Sequence, residues 1–369
     1  MFNTFDITDF GAIADGRTDC TAAIQEALNA AGKVKGTVVI PPARFLCGYV
    51  KVPAYVTVKG DAAWDFKMDQ GGSVLELNDP NAKCLFDITG AFGCSITGIS
   101  MDGKDLGEDV NGIMLWWEDR LQSRKPYGGA EDTPAISDCR ISNFSGDAVH
   151  FHNIWCFSIR HSMLCYSRNG LSLYGCDGFI SDCWFSCNRQ SGIDSRFFMS
   201  GTFTGNRIEC NLGHGASFFD VGRVQFSNND FDYNALCGFY AADANEDFRG
   251  NIVLTGNMFH VSGFESIDEK VPDKYKAHIN ISHAVNVIIN GNSFIAEPYT
   301  AEKCGPSYAV TFSQLKSSLI INNTMQNGAY VKNLNDLGGH KAEVVVSQNV
   351  GAENTVPTNA KSAWPRFDD

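Results

Sequence analysis

The chain contains 369 residues, 42 of them acidic and 29 basic, and its formal net charge is −13. This acidic balance disfavours nucleic acid and anionic membrane surfaces as partners, because basic patches bind both. The first residues lack the basic and apolar regions of a secretion signal, and no stretch is long and apolar enough for a membrane span, so we expect a cytoplasmic protein.

The N-terminal part of the chain predicts a helix followed by a strand. From Thr21 onward, apolar residues recur at helical spacing, which predicts a helix with Asp19 or Thr21 as its cap and Gly32 as its end. Thr37–Ile40 reads as the first full strand, and the two prolines after it read as its exit turn. We expect the helix to cover the apolar end of the strands that follow.

A repeat dominates the middle of the chain. From Gly146 to Gly238 a glycine followed by a short alternating strand returns about every 23 residues, and a second strand ending in Gly-Asn or Asn-Asn follows. Glycine and asparagine tolerate the left-handed backbone of a tight corner, so we interpret each repeat as one coil of a parallel β-helix. We expect one all-β solenoid domain over 1–369, with a cap segment at 1–36, coils at 37–350 and a tail at 351–369.

Thirteen cysteines occur, several at equivalent coil positions, such as Cys139 and Cys183, or Cys187 and Cys210. Stacked apolar thiols in a reducing compartment fit this arrangement better than disulfides, and the Cys-x-x-Cys pairs of a zinc site are missing. No strand carries a carboxylate cluster suited to calcium. We therefore expect no metal and no cofactor.

The opening of the chain resembles a known superfamily. The run Asp9-Phe-Gly-Ala-Ile-Ala-Asp-Gly-Arg-Thr-Asp19, then Thr21-Ala-Ala-Ile-Gln25 and Val39-Ile-Pro-Pro42, is similar to the start of pectate-lyase-like proteins. The resemblance implies a single-stranded right-handed parallel β-helix with an N-terminal capping α-helix, and a carbohydrate polymer or oligomer as substrate. The superfamily includes pectate lyases, polygalacturonases, uronate C5-epimerases, phage tailspikes and fructan-cleaving transferases. Because the last of these assemble as trimers, the resemblance also leaves a homotrimer open.

Two local motifs resemble particular members of that superfamily. Gly213-His214-Gly215 is similar to a polygalacturonase motif, but the pair of aspartates that accompanies it there is missing. His152 occupies the position of a strand histidine in C5-epimerases, with His150 in place of their acidic residue.

Alternation along the strands divides their side chains into an inner and an outer set. The apolar inner set comprises Ile113, Val149, Leu171, Ile193, Ala216, Phe239, Ile279 and Val310. One outer ladder comprises Met114, His150, Ser172, Asp194, Ser217, Tyr240, Asn280 and Thr311, and the other Trp116, His152, Tyr174, Arg196, Phe219, Ala242 and Ser282. With coils about 4.8 Å apart, the ladders would form a patch roughly 20 Å long whose aromatic rings suit stacking on sugars.

Two insertions interrupt the repeat, and loops of this length in a solenoid commonly form binding walls or subunit contacts. A polar insertion follows Gly263. The insertion after Trp116 leaves directly from the patch, and its candidates for closing over a ligand are Glu118, Asp119 and Arg124.

The outer patch favours a carbohydrate-active enzyme. Glycoside hydrolysis, or an intramolecular glycosyl transfer, needs two carboxyl groups. Asp194 is the first candidate, because Arg196 on the same face favours its charged form, and Glu118, Asp119 or Asp220 is the second. The expected substrate contacts are Trp116, Trp117, Asp119, Tyr174, Arg196, Phe219 and Tyr240.

The alternative reaction is β-elimination or C5 epimerisation at a uronic acid. A base removes the proton beside the sugar carboxylate while a cation neutralises that carboxylate. His150, His152 or Tyr174 would supply the base and Arg196 the cation. The third alternative is a non-catalytic carbohydrate-binding or tailspike-like protein.

Overall fold

The computed structural model describes residues 3–63, 71–119, 131–243, 250–263, 271–296 and 305–357. Contacts divide the chain into two compact units, Met1–Trp184 and Phe185–Asp369. Each unit is built from three stacks of parallel strands, one strand of each stack per coil, which confirms the predicted all-β parallel β-helix.

The first unit contains the following strands, given in the order in which they pair. Its first stack comprises β1 (Thr4–Asp6), β2 (Thr37–Ile40), β5 (Thr57–Gly60), β9 (Ser95–Thr97), β12 (Ala135–Ser137), β15 (Phe157–Arg160) and β18 (Asp177–Ser181). Its second stack comprises β3 (Ala43–Cys47), β7 (Gly71–Leu77), β10 (Ser100–Asp102), β13 (Arg140–Ser142) and β16 (Met163–Cys165), with β6 (Ala62–Ala63) antiparallel to β7. Its third stack comprises β4 (Val50–Lys51), β8 (Cys84–Asp87), β11 (Asn111–Trp116), β14 (Val149–His152) and β17 (Leu171–Tyr174).

The second unit has the same organisation, and β19 (Trp184–Ser186) spans the boundary between the units in the sequence. Its first stack comprises β21 (Ser200–Thr204), β24 (Arg223–Ser227), β27 (Asn251–Thr255), β30 (Ile288–Asn290), β33 (Ser318–Ile321) and β35 (Val344–Ser347). Its second stack comprises β22 (Arg207–Glu209), β25 (Asp230–Asp232), β28 (Met258–His260) and β31 (Ser293–Ile295). Its third stack comprises β20 (Ile193–Arg196), β23 (Ala216–Phe219), β26 (Phe239–Ala242), β29 (Ala277–Ser282), β32 (Tyr308–Ser313) and β34 (Lys332–Asp336). Short 3-10 helices span Ile7–Phe10 in the first unit and Asp273–Tyr275 in the second.

The predicted N-terminal helix is α1 (Thr21–Val34). Its apolar face packs against β1, β2, β3 and β4, which is the position expected of a cap. The residues that this contact buries completely are Ile24, Ala27, Leu28 and Ala31. Across the described ranges, no helix has the length and apolar character needed to cross a bilayer.

The expectation that Gly32 ends the helix is wrong. The helix continues to Val34 and ends at Lys35, whose backbone is left-handed with φ 54°. Gly32 has a different role, because a Cβ atom there would lie 2.8 Å from Cβ of Pro53. The glycine therefore permits close packing of the helix against the following segment.

The strand registers confirm the predicted alignment of the inner and outer sets within each unit, but four residues of the outer set are buried, namely Ser217, Tyr240, Asn280 and Thr311. In the first unit Ile113, Val149 and Leu171 are aligned on successive coils and are fully buried. In the second unit the same alignment links Ile193 to Ala216 and continues through the following strands to Val310. The cores are therefore columns of apolar side chains, each supplied once per coil.

The repeat glycines permit close approach between coils. A Cβ atom on Gly215 would lie 2.5 Å from the carbonyl oxygen of Gly238, and one on Gly192 would lie 2.8 Å from that of Gly215. The left-handed corners lie elsewhere, at residues such as Gly205, Asn228 and Gly256, with φ of 67°, 56° and 66°.

The asparagines that follow these corners are buried, although the sequence suggested them as corner residues. The side-chain amide of each, except the last, donates a hydrogen bond of 2.9–3.0 Å to the Oδ1 atom of the asparagine on the next coil. The ladder they form, here called the asparagine ladder, comprises Asn206, Asn229, Asn257, Asn292, Asn323 and Asn349.

The cysteines follow the prediction in part. The described ranges contain twelve cysteines, all of them reduced. Burial raises the pKa of Cys139 and of Cys183 to about 12, as expected for apolar thiols in a core. Cys187 and Cys210 depart from the expected burial: Cys210 is exposed and hydrogen-bonds to Cys187, and both occupy left-handed corners where side chains reach solvent.

We predict that Asn257→Ala lowers the free energy of unfolding by about 3 kcal/mol, because buried partners lose their hydrogen bonds. Asn257 Nδ2 donates to the Phe226 carbonyl and to Asn292, while its Oδ1 accepts from Asn229. Urea unfolding measures the change. The control Asn290→Ala removes an exposed hydrogen bond with Asn322 and should cost less than about 1 kcal/mol; equal costs for the two variants would contradict a stabilising ladder.

Candidate functional site

Three stacked rings cross the third stack of the first unit. Trp116, His152 and Tyr174 are aligned in register on β11, β14 and β17, as the second outer ladder predicted. The ring centroids are 4.1 Å apart between Trp116 and His152 and 4.5 Å apart between His152 and Tyr174, with interplanar angles of 9° and 12°. Trp116 and Tyr174 are 42% and 39% exposed, so the edges of this aromatic stack reach solvent.

The contacts of His152 determine which of its nitrogens carries the proton. His152 Nδ1 lies 2.7 Å from the carbonyl oxygen of Trp117. Because a carbonyl oxygen only accepts hydrogen bonds, Nδ1 donates and Nε2 holds the lone pair of the neutral ring. Burial lowers the pKa of His152, which favours this neutral form. His152 is thus prepared to accept a proton at Nε2.

His150, on the other outer ladder, is held by a buried carboxylate. Its Nδ1 atom lies 2.8 Å from Asp147 Oδ2, and the Asp147 side chain is only 1% exposed. Asp147 also accepts hydrogen bonds of 2.9 Å from Arg168 Nε, Arg168 Nη2 and Asn169 Nδ2. Burial disfavours the carboxylate, but His150 and Arg168 outweigh it and lower the pKa of Asp147 to about 2. An ionised Asp147 keeps the His150 proton on Nδ1 and leaves Nε2 as the acceptor.

A cavity of about 600 Å³ adjoins the aromatic stack, and Trp116 belongs to both. Its charged lining consists of Lys51, Lys83, Asp87, Glu108, Asp109 and Glu118. Asp87 accepts a hydrogen bond of 2.7 Å from the Tyr49 hydroxyl, and Asp109 pairs with Arg168. The cavity therefore brings lysine cations and carboxylates to the Trp116 end of the aromatic stack.

Trp117 was expected to contact substrate from the inserted loop, but it is only 6% exposed. Its indole Nε1 donates a 2.9 Å hydrogen bond to Asp132, and its ring stacks on Phe92. Since its carbonyl oxygen accepts from His152, Trp117 acts as a positioning residue. Glu118 and Asp119 are exposed as expected, and Arg124 lies outside the described residues.

The other predicted site residues lie in the second unit. Asp194 is half-buried on β20 with Ser217 beside it in register. The Arg196 guanidinium lies 5.6 Å from the centre of the Phe219 ring, and Asp220 follows β23 in a left-handed corner with φ 55°.

Tyr240 is only 5% exposed and so does not present the solvent-facing ring that was expected. Tyr275, from the insertion after Gly263, packs against it with ring centroids 5.3 Å apart. His214 stacks on Tyr240 in the same place, and burial lowers the pKa of His214 to about 3. This histidine of the Gly-His-Gly motif is therefore half-buried and neutral.

Sequence reasoning missed Asp147, Arg168, Lys51, Lys83 and Asp87. The Asp147 carboxylate lies three residues before His150, and that short spacing is the one signal that pointed to the pair. The lysines and Asp87 lie in early coils, where the glycine repeat is not readable. Within the described ranges, no three His, Cys, Asp or Glu side chains form a cluster suited to a metal ion.

Comparison with known proteins extends these observations. The capsule K30/K69-specific depolymerase of Klebsiella phage K64-1 is 25% identical over 303 residues, which is 79% of this chain. The chain spans about a third of that relative's length, since the match covers 34% of it.

Solved structures share the fold. The A-module of mannuronan C-5 epimerase AlgE6 from Azotobacter vinelandii superposes with a TM-score of 0.69 at 17% identity, covering 98% of this chain and all of the other (100%). DFA-IIIase from Arthrobacter chlorophenolicus A6, crystallised without its lid, superposes with a TM-score of 0.64 at 15% identity, covering 95% of this chain and 94% of the other. At these identities the likeness concerns the fold.

Two family models match the sequence itself. The model for the rhamnogalacturonase A/epimerase, pectate lyase-like family matches residues 4–85, where the opening motif lies. The model for the right handed beta helix region matches residues 129–324, more than half of the chain. This chain is therefore a right-handed parallel β-helix protein of the pectate-lyase-like superfamily.

Proposed function

We propose that this protein cleaves a uronic-acid-containing polysaccharide by β-elimination at the cavity beside the aromatic stack. The observation that carries the proposal is the fixed tautomer of His152, which stacks on Trp116, while Trp116 itself lines the cavity that contains Lys51 and Lys83. The similar proteins include a structural neighbour whose name refers to mannuronan and a sequence relative whose name refers to a capsule, and such names support a polysaccharide substrate.

In the proposed reaction the lysines bind the sugar carboxylate and reduce its charge, which makes the proton at C5 more acidic. His152 Nε2 takes that proton, and the electron pair of the C5–H bond forms the C4=C5 double bond. The C4–O bond breaks, and the leaving oxygen takes a proton from the Tyr174 hydroxyl. One product carries an unsaturated uronate at its non-reducing end. The other carries a new reducing end, because the leaving oxygen stays on its C1 atom. Arg196, which the sequence suggested as the cation, is not among the described residues that line this cavity, so the lysines take this role in the proposal.

Hydrolysis is the second candidate, and a separate observation favours it. Asp87 and Glu118 line the same cavity, and glycoside hydrolysis uses two carboxyl groups on either side of the scissile bond. The two reactions differ in their products, because hydrolysis consumes water and leaves no double bond. The assay therefore uses polymannuronate, polyguluronate and polygalacturonate and follows ultraviolet absorbance of the unsaturated product together with new reducing ends. Reducing ends without absorbance would refute elimination and support hydrolysis.

We predict that His152→Ala lowers kcat/KM by about 100-fold or more, because the base is lost. Tyr174→Phe, which keeps the stacked ring and removes the hydroxyl, should lower kcat with less effect on KM. The matched control is His161→Ala, since His161 is an exposed histidine of the same unit that hydrogen-bonds to Asp138. Full activity in His152→Ala would refute its assignment as the base.

The pH dependence follows from the lowered pKa of His152. Only the neutral ring accepts a proton, so kcat/KM should fall on the acid side as the ring becomes protonated. Because burial lowers this pKa, the midpoint of the fall should lie below the ordinary value of 6.5. A pH–rate profile of the wild-type protein measures this midpoint, and a midpoint above 6.5 would contradict the assignment.

Asp147 links the site to stability. Its lowered pKa means that the carboxylate stabilises the folded state above the ordinary pKa of 3.8, and that this contribution is lost as the pH falls toward about 2. We predict that Asp147→Asn lowers the free energy of unfolding by about 2 kcal/mol at neutral pH and by much less near pH 2. Urea unfolding across this pH range measures the difference. The control is Asp138→Asn, whose exposed pair with His161 should contribute less than about 1 kcal/mol; a pH-independent loss in Asp147→Asn would contradict the ionic role.

A further inference from the structure

A second cleft lies in the second unit, where the strands of its third stack end. Phe197, Asp220 and Asp243 directly follow β20, β23 and β26 and line this cleft, which has a volume of about 280 Å³. The Phe197 N–H donates to the Phe219 carbonyl at 2.9 Å, and the Asp220 N–H donates to the Ala242 carbonyl at 3.0 Å. The corner residues of successive coils therefore lie side by side, an aromatic ring next to two carboxylates.

Phe197 has an unfavourable backbone conformation, and its side chain is not buried in a way that would offset the cost of that conformation. Its φ is 54°, in the left-handed region that costs a bulky side chain energy, and its side chain is 45% exposed. The next residue, Phe198, is 1% exposed and packs in the core against Phe203 and Phe218. The chain thus buries one phenylalanine and presents the other to solvent at the edge of a cleft.

The rest of the cleft extends this apolar surface and holds its shape. Met199 lines the cleft and is 41% exposed. Gly222, also in the lining, donates a 2.6 Å hydrogen bond to the Phe198 carbonyl. A Cβ atom on Gly222 would lie 2.5 Å from the Met199 carbonyl oxygen, so only glycine permits this approach. The backbone under the ring and the thioether is therefore well defined.

The chemistry of the lining selects a class of ligand. An exposed ring stacks on the C–H face of a sugar, and carboxylates accept hydrogen bonds from the hydroxyl groups at its edge. Asp220 and Asp243 would repel a uronate carboxylate. The nearby cation, Arg196, lies over the ring of Phe219. The described lining of this cleft contains no lysine or arginine and thus complements an uncharged sugar, whereas the cavity of the first unit has two lysines among its four carboxylates.

We propose that this cleft is a binding site for a neutral sugar residue of a glycan, with Phe197 as the stacking platform. The proposal goes beyond the cleavage proposed above, because it concerns a different cleft and is tested by binding without turnover. Failure of the cleavage reaction would leave it unaffected.

Binding of neutral hexasaccharides of glucose, galactose and mannose to the full chain, measured by saturation-transfer NMR and titration calorimetry, tests the proposal. Hexasaccharides of mannuronate and galacturonate serve as the charged comparison. We expect Phe197→Asn to weaken binding of the neutral sugar about tenfold or more, and Phe197→Tyr, which keeps the ring, to retain it. The matched control is Phe179→Asn on β18, because Phe179 is 63% exposed and lies in the first unit.

Stability separates a binding role from a structural one. Asparagine tolerates the left-handed backbone better than phenylalanine, so Phe197→Asn should keep or raise the unfolding temperature while it loses affinity. A lowered unfolding temperature would identify Phe197 as a structural residue and overturn the proposal. Wild-type protein that binds none of the neutral hexasaccharides, or a Phe197→Asn variant that binds them as well as wild type, would also overturn it.

Discussion

Parallel pairing of each strand with its counterpart one coil away is the constraint on which this structure depends. It turns residues about two dozen positions apart into neighbours, such as His152 and Tyr174, whose rings are 4.5 Å apart. A shift of one residue would exchange the inner and outer sets of a strand, so the register must be strictly maintained. The asparagine ladder contributes to this, because its amides from Asn206 to Asn323 are buried and each has its partner on the adjacent coil.

In the candidate site, groups outside the ladder set the protonation of its side chains. A regular sheet stacks these side chains but does not determine which of their nitrogens carries a proton. Here the Trp117 carbonyl and the Asp147 carboxylate both accept from Nδ1 of a histidine, and both lie just outside the strands that carry the rings. The corners and loops therefore determine what the ladder residues can do, while the strands determine where they lie.

The two clefts differ in the cations that line them and so in the sugars they would accept. Two lysines stand among four carboxylates in the first, and two aspartates beside an exposed ring line the second. A polysaccharide that contains both uronic acids and neutral sugars would offer a suitable residue to each cleft. Each cleft is formed within a single unit, so each selectivity arises from a few coils.

The period of glycines and the alternation of apolar residues predicted the coils, the first strand Thr37–Ile40 and the order of residues along each outer ladder, because these features repeat locally. They did not predict that Trp117 is buried, that Gly32 lies within the helix or that the repeat asparagines turn inward. Those outcomes depend on what packs against each residue. The sequence by itself thus determined the fold and the ladders, since backbone periodicity is a local property. Only the tertiary structure decided that Asp147 meets His150 and Arg168, because coil closure brings Arg168 to a carboxylate 21 positions earlier.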